Sequence, residues 1–198
     1  MTQPLEFWFE FASTYSYPAA MRVEAACASQ GVPLVWRPFL LGPVFAAQGL
    51  KDSPFNIYPI KGAYMWRDLE RLCEAQGLDF KRPSDFPRGS LLAARVACAF
   101  SDAPWAGAFI RKVYDANFSR DLDVSQPQVI VDLLTDLEQD ARAVVDAAQA
   151  PTNKDVLKAL TKEAADRGVF GAPTMTVGEE LFWGNDRLDA AIAWALRE

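Results

Sequence analysis

No histidine occurs anywhere in this chain of 198 residues. That absence excludes Ser-His-Asp and Cys-His catalysis, and it would leave carboxylates alone to hold a zinc ion, a poor set of ligands for that metal. Cysteine is scarce as well. Cys27, Cys73 and Cys98 are odd in number and far apart, with no Cys-x-x-Cys and no paired metal-ligand spacing. This usage fits a reducing compartment, with each thiol buried as a small apolar side chain. Runs of Lys or Arg are missing, and the formal net charge is -6. Polyanions and anionic membrane surfaces are therefore excluded as main partners, so no nucleic acid and no membrane are expected. No uncharged apolar stretch approaches the length needed to cross a bilayer. Met1-Thr2-Gln3-Pro4 runs straight into an apolar segment without the basic region of a secretory signal. The expectation is a soluble, cytoplasmic protein without a metal.

What is present is enough for a sizeable core, since 51% of the residues are apolar. One domain, or one domain with a large insertion, fits that length. The stretch that organises the rest is Leu5 to Tyr17. Leu5-Glu6-Phe7-Trp8-Phe9-Glu10-Phe11 reads as a half-buried or central strand in which Glu6 and Glu10 are the only charges. Ser13 follows where strand gives way to helix. As an N-cap, its hydroxyl would satisfy an orphan amide. The same position also concentrates unpaired N–H groups, so a thiolate or other anion placed there would be stabilised.

Residues 14–30 read as a helix with Met21, Ala25 and Ala28 at helical spacing, Gly31 as its stop, and Pro18 predicting a kink or a late start. Residues 32–39 read as a second strand, completing a right-handed βαβ unit. Residues 40–60 read as irregular because of Pro43, Gly49, Pro54 and Pro59. Helical periodicity follows near 61–76 (Met65, Leu69 and Leu72 on one face), 89–101, 104–119, 126–137 and 141–150. A further helix is predicted over 153–166, capped by Thr152 or Asn153, with Val156, Leu160 and Ala164 facing inward. The ending reads as a strand after Pro173, a turn at Gly178, a partner strand at 181–183, and a last helix capped by Asn185 or Asp186. The fold class is therefore α/β. The order β-α-β, helical insert, α-β-β-α predicts a thioredoxin-like mixed four-stranded sheet, with residues 1–39 and 151–198 forming the thioredoxin-like part and 40–150 a large all-helical insertion.

Four segments then carry a resemblance. They are Phe9-Glu10-Phe11-Ala12-Ser13-Thr14-Tyr15-Ser16-Tyr17, the stretch from Tyr58 to Leu69, Phe170-Gly171-Ala172-Pro173-Thr174, and Phe182-Trp183-Gly184-Asn185-Asp186-Arg187-Leu188. Together they resemble the 2-hydroxychromene-2-carboxylate isomerases, which stand with kappa-class glutathione transferases in the DsbA-like branch of the thioredoxin fold. The likeness spans essentially the whole chain, and the four segments together are specific where each alone is weak. It implies glutathione as cofactor and Ser13 as the residue that activates its thiolate. It also implies a glutathione site built from Ser13, Tyr15, Asn56, Lys61, Ala172, Pro173, Asn185 and Asp186. Ala172-Pro173 matches a cis-proline loop whose backbone would pair with an extended peptide ligand; without the resemblance, a trans proline opening an edge strand is equally compatible. Redox relatives would carry Cys-x-x-Cys where this chain has Ser13-Thr14-Tyr15-Ser16, which rules out dithiol–disulfide exchange at this site. Many relatives have proline after the serine; here it is Thr14.

The activity the resemblance implies is glutathione-dependent cis-trans isomerisation of 2-hydroxychromene-2-carboxylate-type substrates, with Phe39, Phe45, Tyr64 and Trp66 as candidate walls of an aromatic pocket. A small-molecule aromatic substrate and a homodimer are implied as partners. Two alternatives stay open: a kappa-like glutathione transferase or peroxidase acting on electrophiles, and a thioredoxin-fold binding module without catalysis.

Overall fold

A computed structural model describes residues 2–197. Its centre is β1 (Leu5–Phe9), which pairs in parallel with β2 (Leu34–Pro38) and antiparallel with β3 (Thr174–Val177); β3 pairs antiparallel with β4 (Glu180–Trp183), giving the order β2-β1-β3-β4. Phe7 stands opposite Trp36 on one side and Met175 on the other. A strand flanked on both edges and covered on both faces is expected to be largely apolar, and β1 is so except for Glu6. Its alternate residues separate two cores. Leu5, Phe7 and Phe9 join the large core, while Trp8 joins a smaller one with Phe39, Val44, Ala164 and Val169.

The charge inside β1 is matched locally. Glu6 accepts hydrogen bonds from Arg37 and Arg167, and both guanidinium groups also lie over the Trp8 ring, at 5.6 and 5.4 Å. Burial alone would raise the Glu6 carboxyl, but hydrogen bonds from Arg167, Arg37 and Thr176 outweigh it and hold it below its ordinary value.

The first helix, α1 (Ser16–Ser29), starts later than the strand-to-helix reading predicts. Ser13 therefore does not cap it. Tyr15 occupies the cap position without a side-chain bond, and Pro18 falls in the first turn, where its missing N–H would be unpaired in any case. Its buried face is Val23 and Cys27 with the first turn, whereas Ala25 and Ala28 are exposed. This face packs on the inserted helices and on the last helix.

After β2 the chain is more helical than its prolines suggest. Residues 40–60 contain α2 (Leu41–Ala47) and the short α3 (Pro54–Ile57), then α4 (Pro59–Gln76) begins. Ser53 caps α3, accepting from the Phe55 N–H, and Pro54 and Pro59 open α3 and α4 instead of breaking them. Next come α5 (Leu91–Ala99), α6 (Ala106–Phe118), α7 (Pro127–Thr135), α8 (Ala141–Gln149) and α9 (Pro151–Asp166). In α9 the buried residues are Leu157, Thr161 and Ala164, while Val156 is exposed. Ala164 faces inward as expected and Leu160 is half-buried, so only Val156 departs, and Asn153 donates to the Ala147 carbonyl instead of capping. A 3-10 turn over Asn185–Arg187 leads into α10 (Leu188–Ala195). Asn185 and Asp186 make no capping bond there; Gly184, at φ 109, precedes the turn in a conformation that glycine adopts freely. The large core contains residues of both sheet and inserted helices, from Phe9 to Tyr114 and Leu134. No helix among the described residues is long and apolar enough to cross a membrane.

Candidate active site

Ser13 lies in the turn between β1 and α1. Its hydroxyl donates to the Ala172 carbonyl across 159 residues of sequence, at 2.8 Å. The Ala172-Pro173 bond is cis, and the Pro173 carbonyl accepts the Gly184 N–H at 2.9 Å. The Ala172 N–H has no hydrogen-bond partner among the described residues. Strand end, proline loop and β4 thus meet at one point, which opens into a cavity of about 1640 Å³. Ligand pockets for one small molecule span roughly 300–1,000 Å³, so this space suits two ligands side by side.

Ser13, Tyr15, Lys61, Ala172, Asn185 and Asp186 all reach the cavity wall, and so do Phe45 and Tyr64. Tyr15 donates to Asp68 at 3.0 Å, and Arg71 holds the other oxygen of that carboxylate, which fixes the Tyr15 ring. Burial first, then the Asp68 charge, push the Tyr15 phenol above its ordinary value, so it stays protonated. Lys61 sits over the Phe55 ring at 5.9 Å and forms no ion pair among the described residues. Its ammonium is free to meet a ligand carboxylate. Asn185 is buried, and its Oδ1 has no donor among the described residues, which suits a ligand ammonium or amide.

Four of the expected residues lie off the wall. Asn56 is turned outward on α3, where its amide donates to Asp52 and to the Phe86 carbonyl. Pro173 is buried behind Ala172. Phe39 is fully buried edge-on against Trp8, and Trp66 packs edge-on against Phe86 at 4.9 Å. Both aromatics are core, and neither walls the pocket. The aromatic wall that does exist includes Phe55, Phe86, Phe170 and Trp183 beside Phe45 and Tyr64. Phe170 and Trp183 lean on each other at 4.9 Å, over Gly171. A Cβ on Gly171 would fall 2.6 Å from Trp183 Nε1, so this aromatic pair requires glycine there.

A family model described as a DsbA-like thioredoxin domain matches residues 4–192. The chain belongs to that family. Within it, the chain is 28% identical over 190 residues to 2-hydroxychromene-2-carboxylate isomerase of Sphingobium xenophagum, with 96% of each chain covered. It is 26% identical over 207 residues to glutathione S-transferase kappa 1 of Homo sapiens, covering 96% of this chain and 89% of that one. A solved structure of a 2-hydroxychromene-2-carboxylate isomerase matches with a TM-score of 0.86 at 24% identity, over 96% of this chain and 93% of that chain, which is a likeness of fold.

In this DsbA-like chain the three thiols are remote from redox chemistry. Cys27, Cys73 and Cys98 are free and buried, and burial pushes each up to about 11. Among the wall residues not expected from the sequence are Thr14 and Glu10. Thr14 is buried beside Ser13, with its hydroxyl unpartnered among the described residues. Glu10 carries the available signal, a carboxyl inside an otherwise apolar run. It is 7% exposed, accepts the Ala12 N–H at 3.0 Å and the Ser90 hydroxyl, and is pushed up to about 7 by burial, against those two hydrogen bonds. The folded protein therefore holds a proton that an unfolded chain, with a carboxyl near ~4.3, has released. Stability from this group is complete below about pH 4.3 and is lost as pH rises towards 7, by about 3 kcal/mol in all. Glu10→Gln should remove most of that slope, read as the urea midpoint between pH 5 and 8; a variant with the parent's slope would show that Glu10 titrates normally.

Proposed function

We propose that this protein is a glutathione-dependent isomerase acting on 2-hydroxychromene-2-carboxylate-type substrates. The observation that carries the reading is the meeting of Ser13 with the Ala172 carbonyl at a cavity of about 1640 Å³, large enough for a tripeptide and an aromatic bicycle together. The curated relatives supply the chemistry, as isomerases and kappa transferases by name. Glutathione, when bound, would supply a thiolate that adds reversibly to a conjugated carbon, so that the former double bond can rotate before elimination restores the thiol cofactor.

The chain's residues fit that ligand. An extended peptide beside Ala172 can give an N–H to its carbonyl and take its unpaired N–H, as an added strand does. Ser13 is then released from Ala172 and can donate to the sulfur instead. Lowering a thiol from ~8.5 by about two units needs about 2.7 kcal/mol of preference for the thiolate, within reach of one or two hydrogen bonds to a charged acceptor. Lys61 would meet a ligand carboxylate, while Asn185 Oδ1 and Asp186 would meet its ammonium. Phe45, Tyr64, Phe170 and Trp183 would cover the aromatic substrate.

The test is a pair of assays on the intact protein with glutathione. Chromene isomerisation with glutathione unconsumed is the expected result. Stoichiometric loss of glutathione to a thioether with an electrophile, without isomerisation, would favour the transferase reading. A folded protein that binds no glutathione would leave a binding module without this cofactor.

A further inference from the structure

Turning a bound thiol into a thiolate leaves a proton to be placed, and the choice of acceptors in this cavity is narrow. There is no histidine. The Ser13 hydroxyl is a donor to Ala172 and has no base behind it. Four carboxylates line the cavity: Glu10, Asp52, Asp68 and Asp186. Asp68 is held by Arg71 and Tyr15, Asp186 pairs with Arg187 at 3.1 Å, and Asp52 is exposed and caps its own loop through Ser53 and Asn56. Each of these three is already engaged by a cation or by its own loop, and none is buried. Glu10 alone is buried, and it has no cationic partner among the described residues.

Its position is equally specific. Glu10 Oε2 accepts from the amide of Ala12, one peptide before Ser13, and the Ser13 N–H donates to the Glu10 carbonyl at 3.0 Å. The residue is pinned from the other side by the inserted helices, where Tyr114 of α6 donates to the Glu10 carbonyl at 2.9 Å. The charged and titratable neighbours are accounted for: Tyr114 is kept protonated by burial and then by Glu10 itself, and Arg88, two residues before Ser90, is committed to Asp121 and Asn117. Ser90 matters for a different reason. A hydroxyl can donate to a carboxylate or accept from a carboxylic acid, so Glu10 can gain a proton without stranding its partner.

We propose that Glu10 is the acceptor for the proton of a thiol bound at Ser13. The inference rests on the glutathione reading above and deepens it. The S–H bond breaks, its electron pair stays on sulfur, and the proton forms an O–H bond on the Glu10 carboxylate. One negative charge moves from oxygen to sulfur, so the net charge of the closed site does not change. When the thiol departs, Glu10 returns the proton.

Proton counting tests this without any turnover. Glutathione binding to the intact protein is followed by calorimetry at pH 7.5 in buffers of different ionisation heat, with the ultraviolet absorbance of the thiolate recorded in parallel. About nine in ten free thiols carry their proton at that pH, given a value of ~8.5. The parent should bind glutathione as thiolate while releasing less than roughly half a proton per ligand, and Glu10→Gln should release close to one at the same thiolate signal. Equal release from both proteins overturns the proposal and leaves the glutathione reading standing. Absence of binding heat and thiolate signal in the folded parent overturns both. If Glu10→Gln does not fold, Ser90→Ala serves in its place. It removes a donor that favours the carboxylate, so the range of low proton release should extend to higher pH; an unchanged range overturns the proposal.

Discussion

Under the proposed function, Ser13→Ala is expected to lower the isomerisation rate at neutral pH by about tenfold to a hundredfold and to raise the titration of bound glutathione by about one to two pH units. The estimate follows from one hydrogen bond to a charged acceptor, worth about 1.5–3 kcal/mol. The fold should not change, because the Ser13 side chain makes a single bond, to the Ala172 carbonyl, and an extended ligand can take over that acceptor. The loss should therefore appear in kcat more than in the affinity for glutathione. Thiolate absorbance across pH, alongside steady-state rates, separates the two. A variant whose thiolate titrates like the parent's would reduce Ser13 to a tie between two loops.

Arg88→Met is expected to give the largest loss of stability among the polar substitutions near the cavity. Arg88 is buried at 6% exposure in the loop before α5, and its guanidinium donates to the Asn117 side chain at 3.1 Å and the Leu122 carbonyl at 3.0 Å, as well as to Ser84 and Asp121. Methionine fills most of the volume but donates nothing. At about 1–3 kcal/mol for each buried acceptor left unpaired, a loss of about 3 kcal/mol is expected. The consequence reaches the site, because Asn117 also donates to the Phe11 carbonyl at 3.2 Å, two residues before Ser13. Urea unfolding should show a lower midpoint at unchanged slope. A stability within about 0.5 kcal/mol of the parent's would mean that water replaces the guanidinium.

Much of this fold can be read along the chain because its cues are local. The apolar run from Leu5 to Phe9, the turn at Gly178 and the helical stripes each depend on neighbours within a few residues, and they return the right strands in the right order. The errors are also local in origin. Pro54 and Pro59 read as breakers because proline interrupts a helix interior, yet at a first helical position it fits, and only the surrounding chain decides which case applies. Ser13 reads as a cap because a serine after a strand commonly is one. The helix instead begins at Ser16, which leaves the hydroxyl for Ala172.

Composition alone rules out histidine chemistry, and local periodicity places the strands and the longer helices. Without histidine no packing could supply a Ser-His-Asp triad, and without Cys-x-x-Cys no local dithiol can form, while periodicity leaves α2 and α3 unread behind their prolines. Only the tertiary structure decided which side chains share a wall. Phe39 and Trp66 are as aromatic as Phe170 and Trp183, but the first two close against Trp8 and Phe86 while the second two remain open to the cavity. Periodicity states which face of an element is apolar and says nothing about what arrives to cover it. Glu10 shows the same limit. Its lack of a cationic partner is a property of three-dimensional neighbours contributed by residues up to 104 positions away, and that separation is why a plain glutamate in the sequence becomes a proton-holding group in the fold.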